Sequence, residues 1–402
     1  MQRVVIVGGG FSGIYALQEL AKNPNIEILL LDKHSYHYLQ PQVYDLIANE
    51  STVADLTVDL FNLCQGMPHP NLRFKNLRVI SIDFNGRLIS TEEGENVPYD
   101  YLILATGSRT SFPSRIDGIA KTNDIKKLHK AIFFKQSFEN AIFNNIVQEG
   151  RKCEATEIVI VGAGLSGVEI AAEMAYYAKR FFKRGLFACS NMKITLISGS
   201  SGILPGMRDA IVNLSQRRLR QLGVDIITRA HMTKADEEYV YLDNGNRIRY
   251  SFVIYSGGIE AANLTSSLSL SKNPKGQIVV TETLQSAEFP NVFAIGDVAQ
   301  IHDKEGKVCI PNVTTARESG TGAARNLLRI LSGEEPRPVY PMLEGTLIAL
   351  GGFYAVGDLY GKLSVSGFIG YAIKKFVFYR YRLPLLRYLK NGYVKSKERF
   401  SG

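Results

Sequence analysis

Two glycine-rich segments, each directly behind a short run of β-branched residues, constrain this chain of 402 residues more than any other feature. The first covers residues 8–13 and reads Gly-Gly-Gly-Phe-Ser-Gly, and the second covers residues 162–167 and reads Gly-Ala-Gly-Leu-Ser-Gly. In both, a strand enters a tight turn whose missing side chains let the backbone approach a pyrophosphate at the N-terminus of the next helix. One such motif is a weak signal, but two of them, 154 residues apart, predict two dinucleotide-binding units.

The first part of the chain is predicted to fold as a Rossmann-type unit. A strand leads through the glycine turn into a helix from Ser12 to about Lys22, and a second strand, Ile26–Leu31, ends at Asp32. Asp32 lies 19 residues past Gly13, where this fold places an acid that accepts hydrogen bonds from ribose hydroxyls. A surface aspartate is the alternative interpretation.

Three further turns are predicted to bring the backbone close to a nucleotide. They follow apolar strands and comprise Thr106 with Gly107, Gly257 with Gly258, and Gly296 with Asp297. The last pair returns the chain to the first unit. We therefore expect an α/β protein with two Rossmann-like domains: a discontinuous first domain at residues 1–115 and 288–335, a second at 116–287, and a C-terminal region at 336–402.

The net charge of +9 is carried by the C-terminal end of the chain. Residues 362–402 hold ten Lys and Arg against one acid, Glu398, which leaves the preceding residues electrically balanced. Because positive and negative charges balance in the residues before 362, a nucleic acid partner is not expected. The basic end indicates one localised anionic partner, for which phospholipid headgroups are the leading candidate.

No targeting or metal-binding pattern is visible in the sequence. Met1 leads straight into the first strand without a signal peptide, and no run of about 18 apolar residues is present, so we expect a cytoplasmic setting. The cysteines lack the spacing of a disulfide framework or a zinc site, so no metal is expected; they are Cys64, Cys153, Cys189 and Cys309.

Four segments resemble the type II NADH:quinone dehydrogenases, which are flavoproteins with two dinucleotide-binding domains. They are the stretch Lys33 to Tyr44, the segment Phe138 to Ala141, the Gly-Val-Glu sequence that ends at Glu169, and the tail from Ser366 to Arg387. The resemblance covers almost the whole chain. It implies FAD in the first domain and NADH or NADPH in the second, with electrons passed to a membrane quinone without proton pumping. It also implies a peripheral protein on the cytoplasmic face of the cell membrane.

The glycine motifs and the resemblance together assign the site residues. Those implied for FAD are Gly8, Gly10, Phe11, Ser12, Gly13, Asp32, Lys33, Gln42, Val79, Thr106, Gly107, Gly296 and Asp297. Those implied for the nicotinamide cofactor are Gly162, Gly164, Leu165, Ser166, Gly167, Ser198, Gly257 and Gly258. Glu169 is the candidate for a group near the rings that orders the cofactor or relays protons, with a solvated helix carboxylate as the alternative. Glu318 is a weaker candidate on the acceptor side, where a surface carboxylate is the alternative.

The chain departs from the family at two places. Ser198 stands where the family has an acid for the adenine ribose, so the choice between NADH and NADPH stays open. Val313, Thr314 and Glu318 stand where the family has an Ala-Gln pair and a later Gln at its quinone pocket, which changes the polarity of that pocket. The helix that carries them is predicted to start after Pro311 and to aim its positive end at the reduced cofactor.

The tail from Phe368 to Tyr388 mixes aromatic and basic side chains. This composition suits a bilayer interface, where each basic residue near an anionic surface contributes about 1 kcal/mol. Pro384 is expected to break the helix. Deletion of residues 363–402 is expected to leave a folded flavoprotein that no longer binds membranes. The alternatives are a contact in a homodimer and a helix that covers the core.

Two other functions stay open. Sulfide:quinone oxidoreductases share this architecture and keep two cysteines about the flavin; Cys153 and Cys309 lie outside that family's motif positions, but the fold could bring them together. A non-catalytic flavin-binding redox sensor is the second, motivated by Ser198 and the altered quinone motif. Disulfide reductases are nearly excluded, because they need a CxxxxC pair after the first glycine motif and residues 14–60 contain no cysteine.

Overall fold

The computed structural model describes residues 1–147, 155–183, 192–342 and 344–400. The helices are α1 (Phe11–Leu20), α2 (Val43–Ile47), α3 (Val53–Leu56), α4 (Leu60–Gly66), α5 (Leu128–Val147), α6 (Leu165–Lys183), α7 (Asp209–Leu222), α8 (Leu264–Ser267), α9 (Val313–Leu331) and α10 (Gly367–Phe400). Short 3-10 turns cover Gln40–Gln42, Ile119–Lys121 and Gly296–Val298.

The strands fall into three stretches of the chain. The first holds β1 (Arg3–Val7), β2 (Glu27–Asp32), β3 (Tyr36–Tyr38), β4 (Thr57–Asp59), β5 (Leu72–Asn76), β6 (Val79–Asp83), β7 (Leu88–Thr91), β8 (Asn96–Pro98), β9 (Tyr101–Leu104) and β10 (Ser108–Thr110). The second holds β11 (Thr156–Val161), β12 (Met192–Ile197), β13 (Val224–Ile227), β14 (Met232–Ala235), β15 (Tyr239–Leu242), β16 (Arg247–Arg249), β17 (Phe252–Tyr255), β18 (Ile259–Ala261) and β19 (Ile278–Val279). The third holds β20 (Val292–Ala294), β21 (Ala299–Gln300), β22 (Gly345–Ala349), β23 (Ala355–Leu359) and β24 (Leu363–Ser366).

The first parallel sheet runs in the order β20-β9-β1-β2-β5. Its central strands are near-continuous runs of Val, Ile and Leu because the sheet is buried on both faces. β20 pairs in parallel with β9, with Val292 opposite Leu102, although the second sheet lies between them in the sequence. This register makes the first Rossmann-type domain discontinuous and returns the turn at Gly296 to the first glycine motif.

The second parallel sheet runs in the order β13-β12-β11-β17. The sequence predicts strands at Ile158–Val161, Lys193–Ile197 and Phe252–Tyr255. The last has the bounds of β17, and the first two begin two residues and one residue later than β11 and β12. α6 follows the second glycine turn, and α7 leads into β13. The linker predicted as helical from about Lys121 to Gly150 contains α5, which the structure describes up to Val147; the end of that prediction lies outside the described residues.

The C-terminal region adds a layer that was not predicted. β22, β23 and β24 form an antiparallel sheet, and α10 leaves this sheet at Gly367 and runs to Phe400. Within the described ranges, no helix combines the length and the apolar character that crossing a bilayer requires.

The prediction that Pro384 breaks the tail helix is wrong, since α10 continues through it. The second half of α10 is held against α4 by two glycine contacts. A Cβ at Gly66 would overlap the carbonyl oxygen of Tyr388, and a Cβ at Gly392 would overlap the backbone of α4. This packing, with Leu385 fully buried, outweighs the roughly 3 kcal/mol that an interior proline costs a helix. Deletion of residues 363–402 would therefore also uncover α4 and remove Leu385 from the core.

Candidate dinucleotide-binding sites

In the first glycine turn, between β1 and α1, some glycines allow close packing and another leaves open space. Gly8 has a φ of +116°, and a Cβ there would overlap the carbonyl oxygen of Ala105. A Cβ at Gly13 would overlap the carbonyl oxygen of Gly8, so both glycines allow strand, turn and helix to pack closely. Gly10 is the N-cap of α1 and has open space at its Cβ position. The N-terminus of α1 therefore has room for a pyrophosphate, the group that helix N-terminal amides bind in this type of fold.

Asp32 ends β2 and supports the first glycine turn. Its Oδ2 accepts the backbone N–H of Gly9 at 2.6 Å, and its Oδ1 accepts that of His34 at 2.7 Å. Each carboxylate oxygen keeps a lone pair for a ribose hydroxyl. Burial lowers the pKa of the neighbouring Lys33. Asp32 is thus a structural part of the turn rather than a solvated surface aspartate.

Ser108 and Asp297 are joined by a hydrogen bond, and Gly296, next to Asp297, lies against Ser12 of α1. Ser108 Oγ donates to Oδ2 of Asp297 at 2.6 Å, and Nζ of Lys126 donates to Ser108 Oγ at 2.7 Å. Burial lowers the pKa of Lys126, and the charge of Asp297 opposes that shift. Sequence analysis missed Lys126 because no motif surrounds it.

Thr106 carries a buried hydroxyl that the protein leaves without a partner. Its Oγ1 is enclosed and forms no hydrogen bond with any residue that the structure describes. Next to it, Gly107 has a φ of +69° and open space at its Cβ position. Buried polar groups are normally hydrogen-bonded, so this hydroxyl fits a bound polar group such as the one FAD would supply.

The C-terminal helix reaches the first site through Tyr381, a contact that sequence analysis missed. The Tyr381 hydroxyl lies 2.7 Å from Nε2 of His37, and Nδ1 of His37 lies 2.8 Å from the carbonyl oxygen of Gly9. A carbonyl can only accept, so Nδ1 carries the proton and Nε2 accepts from Tyr381. Burial lowers the pKa of His37 to about 4, which keeps the imidazole neutral. The Tyr381 ring also packs against Phe11 and Tyr15 of α1, with centroids 5.0 and 5.3 Å away.

The other residues predicted for FAD lie in several different elements. Ser12 is buried at the start of α1, and its Oγ would lie 2.6 Å from a Cβ at Gly296. The N–H of Gly296 donates to Oγ of Ser319 at 3.0 Å, which joins this turn to α9. Gln42 is buried at the end of its 3-10 turn, and Val79 is half-buried at the start of β6.

The second glycine turn, between β11 and α6, repeats this division of roles. Gly162 has a φ of +108°, and a Cβ there would lie 2.8 Å from the carbonyl oxygen of Ser256. A Cβ at Gly167 would overlap the carbonyl oxygen of Gly162, which also accepts the Ser256 hydroxyl at 2.9 Å. Gly164 has open space at its Cβ position, and Leu165 and Ser166 follow it as the first residues of α6.

The turn after β17, where the sequence predicts that the backbone comes close to a nucleotide, also has open space. Gly258 has a φ of +148° and open space at its Cβ position, whereas a Cβ at Gly257 would overlap the ring of Tyr255. The backbone at this point can therefore lie close to a ligand on the side of Gly258.

Ser198 directly follows β12, but its hydroxyl is used within its own loop. Its Oγ donates to the carbonyl oxygen of Gly202 at 2.6 Å, and its side chain is buried. Its N–H donates to the carbonyl oxygen of Ile227 at 2.7 Å. The exposed positions of this loop are instead residues 199–201. Ser198 therefore shapes the loop and does not present a free hydroxyl.

Five charged side chains form a largely buried group between α2, α6 and α10. We call it the acid–lysine cluster, and it consists of Asp45, Glu169, Glu173, Lys374 and Lys375. Oε1 of Glu169 accepts the N–H of Ala349 at 2.8 Å and forms an ion pair with Lys374. Lys375 pairs with Asp45 at 3.1 Å. Glu169 is thus buried and paired rather than solvated.

Glu173 lies one turn beyond Glu169 on α6. Its Oε1 accepts the N–H of Gly351 at 3.2 Å, and no ammonium group among the described residues forms an ion pair with it. Burial raises the pKa of Glu173 to about 8, and the charge of Asp45 raises it further while Lys374 opposes this shift. The Glu173 carboxyl therefore keeps its proton at neutral pH.

Comparison with known proteins agrees with this geometry. The model of a family described as pyridine nucleotide-disulphide oxidoreductase matches residues 2–320. The chain belongs to the pyridine nucleotide-disulphide oxidoreductase family. Its similar proteins include the type II NADH:quinone oxidoreductase of Haemophilus influenzae, 25% identical over 394 residues that cover 90% of this chain and 88% of that protein. The type II NADH:quinone oxidoreductase Ndh of Mycobacterium tuberculosis is 27% identical over 398 residues, which cover 92% of this chain and 82% of that protein.

Solved structures share the fold of this family member. The NDH2 protein of Plasmodium falciparum, solved in complex with NADH, superposes with a TM-score of 0.83 at 17% identity, covering 98% of this chain and 97% of that one. The sulfide:quinone oxidoreductase of Aquifex aeolicus superposes with a TM-score of 0.79 at 19% identity, covering 98% of this chain and 92% of that one. These likenesses show the two-domain fold.

In this family member, the predicted acceptor side lies at the start of α9. The sequence predicts a helix that starts after Pro311 with Asn312 in its first turn; the helix instead begins at Val313, and Asn312 is its N-cap. Oδ1 of Asn312 accepts the N–H of Thr315 at 2.8 Å. Val313 is exposed and Thr314 is half-buried. The positive end of α9 is therefore open to a ligand.

Glu318 lies one turn further along α9 and is paired. Its Oε1 accepts two N–H groups of Arg317, at 3.0 and 2.8 Å, and Arg317 also pairs with Glu344 at 2.9 Å. Burial raises the pKa of the nearby Tyr15 to about 12, while the charge of Arg317 opposes that shift. Glu318 is thus one member of a charge network, and sequence analysis missed the other members.

The cysteines that the structure describes do not form a disulfide. Cys64 and Cys309 are both free, and burial raises the pKa of both thiols, which disfavours the reactive thiolate. Cys153 and Cys189 lie outside the described residues.

Proposed function

We propose that this protein is a flavoenzyme that oxidises NADH or NADPH and reduces a membrane quinone, without pumping protons. One observation carries the proposal: each of the two glycine turns lies at a helix N-terminus beside its own parallel sheet, with open space at the Cβ position of Gly10 or Gly164. Relatives with this activity in their names match along nine-tenths of the chain. Both cofactors of the reaction therefore have a site.

The first site fits FAD. Gly10 and the amides of α1 would hold the pyrophosphate, Asp32 would bind a ribose, and Thr106 and Asp297 would contact the adenosine and ribityl parts. Bound FAD supplies the chemistry that the side chains lack, because it accepts a hydride and gives up two electrons. The second site would hold the nicotinamide dinucleotide against Gly164 and Gly258.

The protein's own residues would manage protons and charge. Conversion of a quinone to a quinol takes up two protons. Glu173 holds a proton in a buried position, and Glu169 lies one turn away on the same helix, which supports the proposal that Glu169 relays protons. The open N-terminus of α9 would stabilise negative charge near the acceptor by up to about 2 kcal/mol.

The Glu169→Gln variant tests this role. It removes the titratable group but keeps a hydrogen-bond acceptor for Ala349, so we expect a lower kcat with quinone at unchanged FAD content. Glu237→Gln, at an exposed surface carboxylate, is the matched control. A Glu169→Gln enzyme with the turnover of the control would contradict the proton relay.

A stopped-flow experiment tests the proposed function as a whole. The FAD-loaded protein is mixed anaerobically with NADH, NADPH or sulfide while flavin absorbance is followed, and a quinone analogue is then added. We expect bleaching by a nicotinamide cofactor and recovery with quinone. Bleaching by sulfide alone would establish the sulfide:quinone activity instead, and a flavin that none of the three donors reduces would indicate a redox sensor.

We also propose that α10 binds the anionic cytoplasmic face of the membrane with its outward side. Its exposed large apolar residues are Phe368, Ile369, Phe376, Val377, Tyr379, Leu383, Leu386, Tyr393 and Val394. Exposed basic side chains accompany them at Arg380, Arg387 and Lys390. Aromatic and aliphatic side chains flanked by cations suit the headgroup region.

Three of the basic side chains expected at the membrane point inward instead. Lys374, Lys375 and Arg382 pair with Glu169, Asp45 and Asp55. Electrostatic attraction to lipid therefore depends on fewer charges than the sequence indicates.

Vesicle sedimentation tests the membrane proposal without removing the helix. Phe376→Ser changes a side chain that is 66% exposed on α10, and Phe133→Ser changes one that is 68% exposed on α5. We expect only Phe376→Ser to weaken binding to phosphatidylglycerol vesicles. If both variants bind as the wild type does, the outward side of α10 faces a different partner, and a loss of dimer in sedimentation velocity would identify a second copy of the chain.

A further inference from the structure

The ribose end of the second dinucleotide site carries no acid. β12 ends at Ile197, and the position after it, where an acid would select the unphosphorylated ribose, is Ser198. The following loop, residues 199–202, consists of glycine and serine, and positions 199–201 are exposed. A loop of this kind neither repels a phosphate nor fills the space that a phosphate needs.

An arginine reaches this loop from the neighbouring strand. β13 runs parallel to β12, so the two strands end at the same edge of the sheet. Two residues past β13, the N–H of Arg229 donates to the carbonyl oxygen of Ser200 at 2.9 Å. Arg229 has a φ of +54°, a conformation that is uncommon for a residue other than glycine. The sequence hides this arginine because it lies 31 positions after Ser198.

The charges around Arg229 leave its guanidinium available. The side chain is exposed, and it forms no ion pair with any carboxylate in the described part of the chain. The nearby acid Asp243 is already paired, since its Oδ2 lies 2.9 Å from Nδ1 of His231. The His231 ring lies directly beside Gly199, where a Cβ would overlap it. Two basic residues therefore lie beside the loop, and the acid Asp243 is already paired with one of them.

We propose that Arg229 and the exposed serines 200 and 201 bind the 2′-phosphate of NADPH, so that the enzyme takes NADPH at least as readily as NADH. This inference rests on the proposed function and specifies its donor. A guanidinium presents paired N–H donors that match phosphate oxygens, and serine hydroxyls add further donors. Dinucleotide folds that accept the 2′-phosphate use an arginine in this region in place of the ribose acid.

Binding of nucleotide fragments to the FAD-loaded protein tests the site without turnover. Calorimetry with 2′,5′-ADP and with 5′-AMP separates the 2′-phosphate from the rest of the nucleotide. We expect tighter binding of 2′,5′-ADP by the wild type. Arg229→Asn, a residue that tolerates a positive φ, should weaken 2′,5′-ADP about 10- to 100-fold and change 5′-AMP by no more than about twofold.

Two further variants keep the test specific. Arg220→Asn removes another exposed arginine, on the last turn of α7, and should leave both fragments unaffected. Ser200→Asp places a carboxylate in the loop and should weaken 2′,5′-ADP while 5′-AMP still binds. Equal binding of the two fragments by the wild type, or an equal loss of both in Arg229→Asn, would overturn the inference.

Anaerobic flavin bleaching separates this inference from the proposed function. Reduction by both NADH and NADPH, with only the NADPH reaction weakened in Arg229→Asn, supports both. Reduction by NADH alone refutes the 2′-phosphate site and leaves the proposed function standing. If neither nicotinamide cofactor reduces the flavin, the proposed function fails, whatever the fragments bind.

Discussion

Removal of one hydroxyl group, in Tyr381→Phe, should loosen the C-terminal helix from the first cofactor site. His37 is fully buried, and its Nε2 accepts a hydrogen bond only from Tyr381 among the described residues. The phenylalanine keeps the ring contacts with Phe11 and Tyr15 but leaves Nε2 unsatisfied. A buried acceptor without a donor costs about 1–3 kcal/mol, which corresponds to a roughly 5- to 150-fold change in an equilibrium constant.

Urea unfolding of the FAD-loaded protein measures this cost. Release of flavin fluorescence reports the first site, and far-UV circular dichroism reports the whole fold. We expect Tyr381→Phe to release its flavin at a lower urea concentration, and the free energy of this transition to fall by the stated amount. The effect should reach the flavin because His37 also bonds to the carbonyl oxygen of Gly9 in the glycine turn. The flavin should therefore leave before or together with the global transition.

The matched control is Tyr379→Phe, which removes the same hydroxyl from a side chain that is 54% exposed on the outward side of α10. Surface changes of this kind usually stay within about 0.5 kcal/mol. If Tyr381→Phe and Tyr379→Phe unfold at the same urea concentration, the hydrogen bond to His37 does not stabilise the site and the reasoning is wrong.

Three further predictions concern the same helix and the acid–lysine cluster. Gly392→Ala should detach the end of α10, because its Cβ would overlap the carbonyl oxygen of Asn62; limited proteolysis should then cut α10 faster than in Ser396→Ala, which removes only a hydroxyl that donates to Asn62. Lys374→Met should destabilise the fold by about 3–5 kcal/mol in urea unfolding, because it leaves Glu169 buried without its cation; an unchanged midpoint would contradict this. The Glu173 carboxyl, whose pKa is about 8 when folded against 4.5 for an ordinary glutamate, keeps a proton that the unfolded chain releases, so the wild type should lose stability as pH rises from 4.5 to 8. Glu173→Gln should remove this slope and exceed the wild type at pH 9 by a few kcal/mol; parallel pH profiles of the two proteins would refute it.

The nucleotide-binding turns could be predicted from the sequence because their chemistry is local. A strand, a glycine turn and a helix N-terminus occupy consecutive residues, so the roles of Gly8 and Gly162 follow from spacing alone. The Gly296-Asp297 turn was also found, since an apolar strand precedes it. These loops can therefore be recognised without knowing which distant parts of the chain contact them.

The rest of the site could not be predicted because its contacts join distant residues. Tyr381 and His37 are separated by 344 positions, and Arg229 meets Ser200 only because β13 lies beside β12. The error at Pro384 has the same origin. The low helix propensity of proline predicts a break at this position. Contacts with α4, which no local sequence pattern reveals, keep α10 continuous.

Because β20 completes the first sheet, a growing chain cannot finish its flavin site early. β20 and Asp297 leave the ribosome after about three-quarters of the chain, and α10 follows as the final element. At about 5–20 residues per second, the stretch between β9 and β20 takes roughly 10–40 s to synthesise, and during that time β9 has an unpaired edge. The nascent protein therefore passes through a period in which it is prone to pair with other chains, and that period ends only when about three-quarters of the chain has been made.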